Sequence, residues 1–105
     1  MKSLADRHCS EATDTALREG ELQAVLPDLP GWATEGLAIT RTWKFADHYE
    51  VMAFVNALAW ISHREDHHPD MLVGYNTVKV SYSTHTAGGV TEKDLICAAK
   101  VGRLS

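Results

Sequence analysis

Cysteine is nearly absent from this chain and basic residues are few. Two cysteines, Cys9 and Cys97, stand near opposite ends of 105 residues, and ten Lys and Arg face fourteen Asp and Glu. Two thiols so far apart make neither a zinc knuckle nor a disulfide framework, and they read as free thiols in a reducing compartment. The net charge of −4 leaves no clustered cationic face, so direct binding of nucleic acid is not expected. No apolar run approaches the roughly 20 residues needed to cross a bilayer. The opening MKSLADRHCSEATD has a lysine but no apolar core of a secretory signal. A soluble, cytoplasmic protein with no membrane partner is the expectation. Internal repeats and low-complexity segments are also missing, and the length suits one domain.

The first sixteen residues lack hydrophobic periodicity and read as a flexible N-terminal tail, leaving 17–105 as a single domain. From Arg18 to Leu29, the residues Leu22, Val25, Leu26 and Leu29 recur at helical spacing, and Pro27 or its neighbourhood ends the helix. Pro30-Gly31 marks a turn, and a short strand around Trp32 leads through Glu35-Gly36 into a second one. There Leu37, Ile39, Trp43 and Phe45 alternate with small or polar residues, with Arg41 the one interruption. Asp47 is a suitable N-cap for a helix from His48 to about Ser62, whose Val51, Phe54, Leu58 face should pack on the sheet. Ala53, Ala57 and Trp60 fall nearly opposite, where they point to a contact with another subunit. Met71–Tyr75 and Val78–Tyr82 read as two further strands around a turn at Asn76-Thr77. Thr91 and Asp94 form a capping box opening a last helix, from Glu92 to about Val101. The order α-β-β-α-β-β-α predicts an α+β two-layer sandwich, a four-stranded antiparallel sheet with helices on one face. Its open face or edge favours an oligomer.

Function concentrates in HREDHHPDMLVGYNTVKVSYSTH, residues 63–85, which holds four of the six histidines. Imidazole is the side chain that gives and takes protons near neutrality without help. His67-His68 leaves the helix just before Pro69, where neighbouring side chains diverge. His85 closes a strand beside Gly88-Gly89, where backbone can approach a small molecule. His8 and His48 read as solvated surface residues. A second chemistry remains open at this point: His63 and His67 have the four-residue spacing of helical metal ligands, with His85, Glu65 or Asp66 as a third. Arg64 stands where a zinc-protease glutamate would be, which weakens that likeness.

His67-His68-Pro69, Tyr75 after five intervening residues, His85 after nine more and Asp94 after eight more follow a pattern. With Pro30-Gly31-Trp32, Phe45-Ala46-Asp47, Ser83-Thr84-His85 and Gly88–Asp94, it resembles that of the pterin-4a-carbinolamine dehydratases, over residues 17–102 or so. The resemblance implies a cofactor-free, metal-free enzyme that removes water from a 4a-hydroxytetrahydropterin to give quinonoid dihydropterin. That reaction recycles the pterin of aromatic amino acid hydroxylases, and such enzymes assemble as dimers or tetramers. It places the catalytic histidines at His67, His68 and His85, and an acidic partner at Asp94. The substrate would also meet His63, Pro69, Tyr75, Ser83 and Thr84. Two positions depart from the pattern: His63 stands where a glutamate is frequent, and Met71 or Leu72 replaces an aromatic after His-His-Pro. In animals the family also stabilises dimers of a homeodomain transcription factor. A non-catalytic protein-binding module of the same fold is therefore the alternative, and its surface would be the Ala53, Ala57, Trp60 face.

Overall fold

The computed structural model describes residues 2–104. Three helices, α1 (Glu19–Val25), α2 (His48–Glu65) and α3 (Glu92–Gly102), cover one face of an antiparallel sheet. Its strands β1 (Ala33–Glu35), β2 (Ala38–Lys44), β3 (Asp70–Val73) and β4 (Thr77–Tyr82) lie in the order β1-β2-β4-β3. This is the expected α+β sandwich. Among the described residues no helix is long and apolar enough to cross a membrane.

Register explains the two-faced sheet. Ile39 pairs with Tyr82, Arg41 with Val80 and Trp43 with Val78, while Met71 also opposes Val80. Side chains alternate across a strand, so these residues share the inner face and Thr40, Thr42, Lys79 and Ser81 share the outer one. Ile39, Val78, Val80 and Tyr82 are fully buried, and Trp43 nearly so. Arg41 keeps its inward register by lying over an aromatic face. Its guanidinium carbon is 4.4 Å from the Trp43 ring centroid, and Nη1 donates to the Pro30 carbonyl at 3.1 Å. Gly31 has φ +87°, and a Cβ there would stand 2.7 Å from Arg41 Nε. Leu37, expected on the inner face, lies instead in the β1–β2 turn beside Gly36 and is exposed.

The Asp47 carboxylate accepts the Glu50 N–H at 2.9 Å, and Glu50 accepts the Ala46 N–H at 2.9 Å. These two bonds satisfy donors that the first turn of α2 leaves free. Val51, Phe54 and Leu58 of this helix are buried against the sheet, with Phe54 4.8 Å from Trp43, ring to ring. Replacing Leu58 by alanine is expected to cost about 2–5 kcal/mol, as deletions at fully buried leucines do. Urea denaturation would read this, and a loss below about 1 kcal/mol would place Leu58 outside the core.

Three boundaries differ from the sequence reading. The first helix stops at Val25, and Pro27 falls in a 3-10 turn, Leu26–Asp28. The third strand ends at Val73, because Gly74 to Asn76 form the turn. The largest difference is at the N-terminus. Residues 2–16, expected as a loose tail, pack along α3 through two 3-10 turns, Leu4–Asp6 and Cys9–Glu11. Arg7 pairs with Glu92 at 2.8 Å, Lys93 with Asp14 at 2.6 Å, and Lys100 donates to the Ala5 carbonyl at 2.8 Å. Cys9 is buried there. With this cover, Ile96, Cys97 and Ala98 on consecutive positions of α3 are all inaccessible to solvent.

Candidate active site

The site is assembled where α2 ends, β4 ends and α3 begins. Asp66 takes a left-handed conformation, φ 51°, and its N–H and that of His67 both return to the Ser62 carbonyl. This C-cap turns the chain out of the helix before Pro69. His67 is therefore off the helix. The shared helix face on which a His63–His67 metal pair depends does not form.

His67 Nε2 lies 2.6 Å from Asp94 Oδ1. A carboxylate only accepts, so Nε2 carries the hydrogen and donates. The other carboxylate oxygen, Oδ2, accepts from Thr84 Oγ1 at 2.8 Å and from the Thr91 N–H at 2.8 Å. Thr84 has spent its hydrogen on Asp94, so the 2.9 Å contact with Thr91 Oγ1 is a bond donated by Thr91. Asp94 is fully buried and His67 nearly so, its side chain 13% exposed. In such surroundings hydrogen bonds in a chain reinforce one another, and an unpaired member is costly. The His67 ring also stacks on Tyr82, with centroids 5.9 Å apart and planes 15° from parallel. Burial first, then the neighbouring Cys97, pushes the Tyr82 phenol well above its usual range, so it stays neutral under the imidazole. Its hydroxyl and that of Ser62 are both buried.

Thr84 also fixes His85. The Thr84 N–H donates to Gly89, while its carbonyl accepts from Ala87 and Gly88. The intervening 3-10 turn, His85–Ala87, closes on Gly88 at φ 75°. His85 is exposed on this turn, His68 is exposed next to His67, and Pro69 is buried behind them. Ser83 is half-buried between Tyr82 and Thr84.

Two expected members stand apart. Tyr75 sits at the far tip of the β3–β4 hairpin, stacked on His48 with centroids 6.3 Å apart. The six residues of β4 make seven steps from Asn76 to Ser83, which span about 23 Å at roughly 3.3 Å each. One chain therefore does not bring Tyr75 to His67, His68 or His85. His63 is exposed on α2 beside Trp60, with rings 5.7 Å apart. Among the described residues no three of His, Cys, Asp and Glu converge as a metal site would require. A cleft of about 820 Å³ opens elsewhere, between the first residues, Trp32, Arg41 and the end of α3, and touches none of the site histidines.

Sequence reasoning missed Thr91 and Tyr82, and weighed Glu65 only as a metal ligand or a stand-in for the family's glutamate. Thr91 and Tyr82 carried signals of capping and of inward alternation, which read as structure alone. Glu65, the last residue of α2, is buried and holds the N-terminal segment behind the site. Its Oε1 accepts the Cys9 N–H at 2.8 Å, its Oε2 meets His8 Nδ1 at 3.0 Å, and Lys100 approaches at 3.8 Å. Burial works to raise the Glu65 carboxyl, but Cys9, His8 and Lys100 outweigh it and hold it below its usual 4.5. A carboxyl depressed on folding adds stability above its unfolded value, and that stability is lost as pH falls through the folded one. Glu65→Gln is accordingly expected to lower the urea midpoint at neutral pH, and the gap to wild type should close on acidification below 4.5. A pH-independent gap would show that the charge of Glu65 is not what holds the segment.

The family model for pterin 4 alpha carbinolamine dehydratase matches residues 15–104. A protein of Xanthomonas campestris pv. campestris, named provisionally as a pterin-4-alpha-carbinolamine dehydratase, is 56% identical over 105 residues, covering 96% of this chain and 89% of its own. A similarly named protein of Xanthomonas oryzae pv. oryzae is 55% identical over the same coverage. Among solved structures, a transcriptional coactivator/pterin dehydratase from Brucella melitensis superposes with a TM-score of 0.82 at 36% identity, over 86% of this chain and 98% of that one. A pterin dehydratase-like protein described as a RuBisCO assembly factor in the alpha-carboxysome shares the fold, with a TM-score of 0.57 at 24% identity, over 70% and 84% of the two chains. The chain belongs to the pterin-4-alpha-carbinolamine dehydratase family.

Proposed function

We propose that this chain removes water from a 4a-hydroxytetrahydropterin to give quinonoid dihydropterin, with histidines as the proton carriers. The reading rests on one observation above all, the 2.6 Å bond between His67 and the buried, fully engaged carboxylate of Asp94. Breaking the C4a–O bond requires a proton on the leaving oxygen, while the ring nitrogens supply the electron pair that takes the place of that bond. Water departs, and loss of a nitrogen-bound proton leaves the neutral quinonoid ring. One acid and one base on the pterin are therefore needed. His67, oriented through Nε2 by Asp94, has Nδ1 left to exchange a proton. His85, on the turn anchored by Thr84, is the second carrier, and His68 positions the ring with Pro69, Ser83 and Thr84. His63 and Tyr75 would take part only if another copy brought them near.

The substrate is of the kind an aromatic amino acid hydroxylase releases, so a functional link to such an enzyme is part of the proposal. A homodimer or homotetramer is too, supported by the exposed apolar side chains Tyr49, Met52 and Trp60 on α2 and Leu72, Val73 and Tyr75 around β3. The same α2 face is what the second reading, a protein-binding module, would use. Light scattering on the purified protein tests the assembly, and a monomer at micromolar concentration would defeat it.

The deciding assay follows dehydration of freshly generated 4a-hydroxytetrahydropterin by absorbance, with and without a chelator, for wild type and His68→Ala. The expected result is chelator-insensitive acceleration over the spontaneous reaction, impaired in the variant. No acceleration by wild type would move the binding-module reading to the front.

A further inference from the structure

We propose that Cys9 and Cys97 are a redox-active thiol pair, which a hydroperoxide converts to an intramolecular disulfide that locks the N-terminal segment onto α3. Their sulfurs, 88 residues apart in sequence, lie 3.6 Å from each other in the buried seam beneath the histidine site. Cys9 Sγ also reaches the Lys93 carbonyl at 3.6 Å, and Cys97 Sγ the His67 carbonyl at 4.0 Å. A disulfide needs about 2.05 Å between sulfurs, so an approach of about 1.5 Å suffices. Cys9 rides on a short 3-10 turn, an element better able to yield than α3.

The pair is inequivalent. With the segment closed both thiols are buried, and the hydrogen bond to Cys9, with burial after it, keeps Cys97 protonated. Opening of residues 2–16, whose outer contacts are exposed ion pairs such as Arg103–Asp6 and whose inner ones are to the buried Glu65, frees Cys9 first. The Cys9 thiolate attacks a peroxide oxygen, giving a sulfenic acid and one water (an alcohol from an organic peroxide). On reclosure Cys97 sulfur displaces the hydroxyl of that sulfenic acid. This forms the S–S bond and a second water, the two thiol hydrogens having gone to oxygen.

The experiment treats the reduced native protein with hydrogen peroxide and reads intact mass, peptide map and limited proteolysis. Loss of two hydrogens, a Cys9–Cys97 cross-linked peptide and cleavage within residues 2–16 slowed about tenfold or more are expected, because cleavage tracks the opened population. A reductant should reverse all three. Cys97→Ala should accumulate a Cys9 sulfenic acid that a dione probe captures, and Cys9→Ser should leave Cys97 unreacted while the protein is folded. Oxygen adducts on Cys9 without a cross-link in wild type, disulfides only between molecules, or oxidation only after unfolding would each overturn the proposal. It is independent of the dehydratase reading, since none of these readouts requires turnover.

Discussion

Replacing His67 by alanine is expected to slow dehydration of 4a-hydroxytetrahydropterin by about 10²–10⁴-fold, the range a positioned proton carrier contributes. The loss should fall on kcat rather than on KM, because the ring would bind through His68 and the Thr84–His85 turn while the proton transfer went missing. Initial rates in a stopped-flow spectrophotometer would measure both constants. The companion variant His85→Ala separates the two carriers: comparable losses in both variants fit one acid and one base. A His67→Ala enzyme retaining more than about a tenth of the wild-type rate would remove His67 from the chemistry, since that is less than any general acid or base supplies.

Asp94→Ala carries the second large effect, and it acts on the fold as well as on the rate. The carboxylate is the common acceptor for His67 Nε2, the Thr84 hydroxyl and the Thr91 N–H. Its removal leaves the His67 and Thr91 N–H groups without a partner in a buried place, and the Thr84 hydroxyl only Thr91 Oγ1 to turn to. About 3–5 kcal/mol of stability should be lost, as when one member of a buried pair is deleted. Asp94→Asn tells the structural from the positioning role. The amide oxygen can still take the Thr91 and Thr84 hydrogens, so most of the stability should return. The NH₂ would then face His67 Nε2 and force the imidazole to accept there, which reverses the ring's polarity toward substrate. Chemical denaturation and the pH profile of kcat, taken together, should show stability rescued and activity not. Equal recovery of both would mean that Asp94 merely caps α3.

The fold was legible where one force sets the pattern. The alternation of Val78, Val80 and Tyr82, the cap at Asp47 and the box from Thr91 to Asp94 each reflect a local rule that packing then confirms. Arg41 broke the alternation in sequence but not in register, because a long side chain can reach the rim of an aromatic cluster. Residues 2–16 were illegible for a different reason. They are fastened by one buried cysteine and by ion pairs to residues more than fifty positions away, and such fastening has no period to detect. His67, Thr84 and Asp94 were three of nine residues expected at the site, and they are the three that share one chain of hydrogen bonds. The fourth member, Thr91, was hidden by its ordinary role as a helix cap. Tyr75 was drawn in by the family resemblance, although its place next to the Asn76-Thr77 turn already put it at the other end of the hairpin from Ser83.

The seam between the N-terminal segment and α3 also sets a timetable for synthesis. The first surface made is the last to find its place, since Cys9 waits on Cys97, 88 residues downstream. Ribosomes add roughly 5–20 residues per second, so the interval between the two cysteines is roughly 4–18 s. During that time the strands and α2 can form, but the helix that buries both thiols and delivers Asp94 to His67 does not yet exist. Assembly of the candidate site and the docking of the first residues are thus deferred to the moment α3 leaves the ribosome, and a nascent chain halted before it would present a sheet with its apolar face half covered.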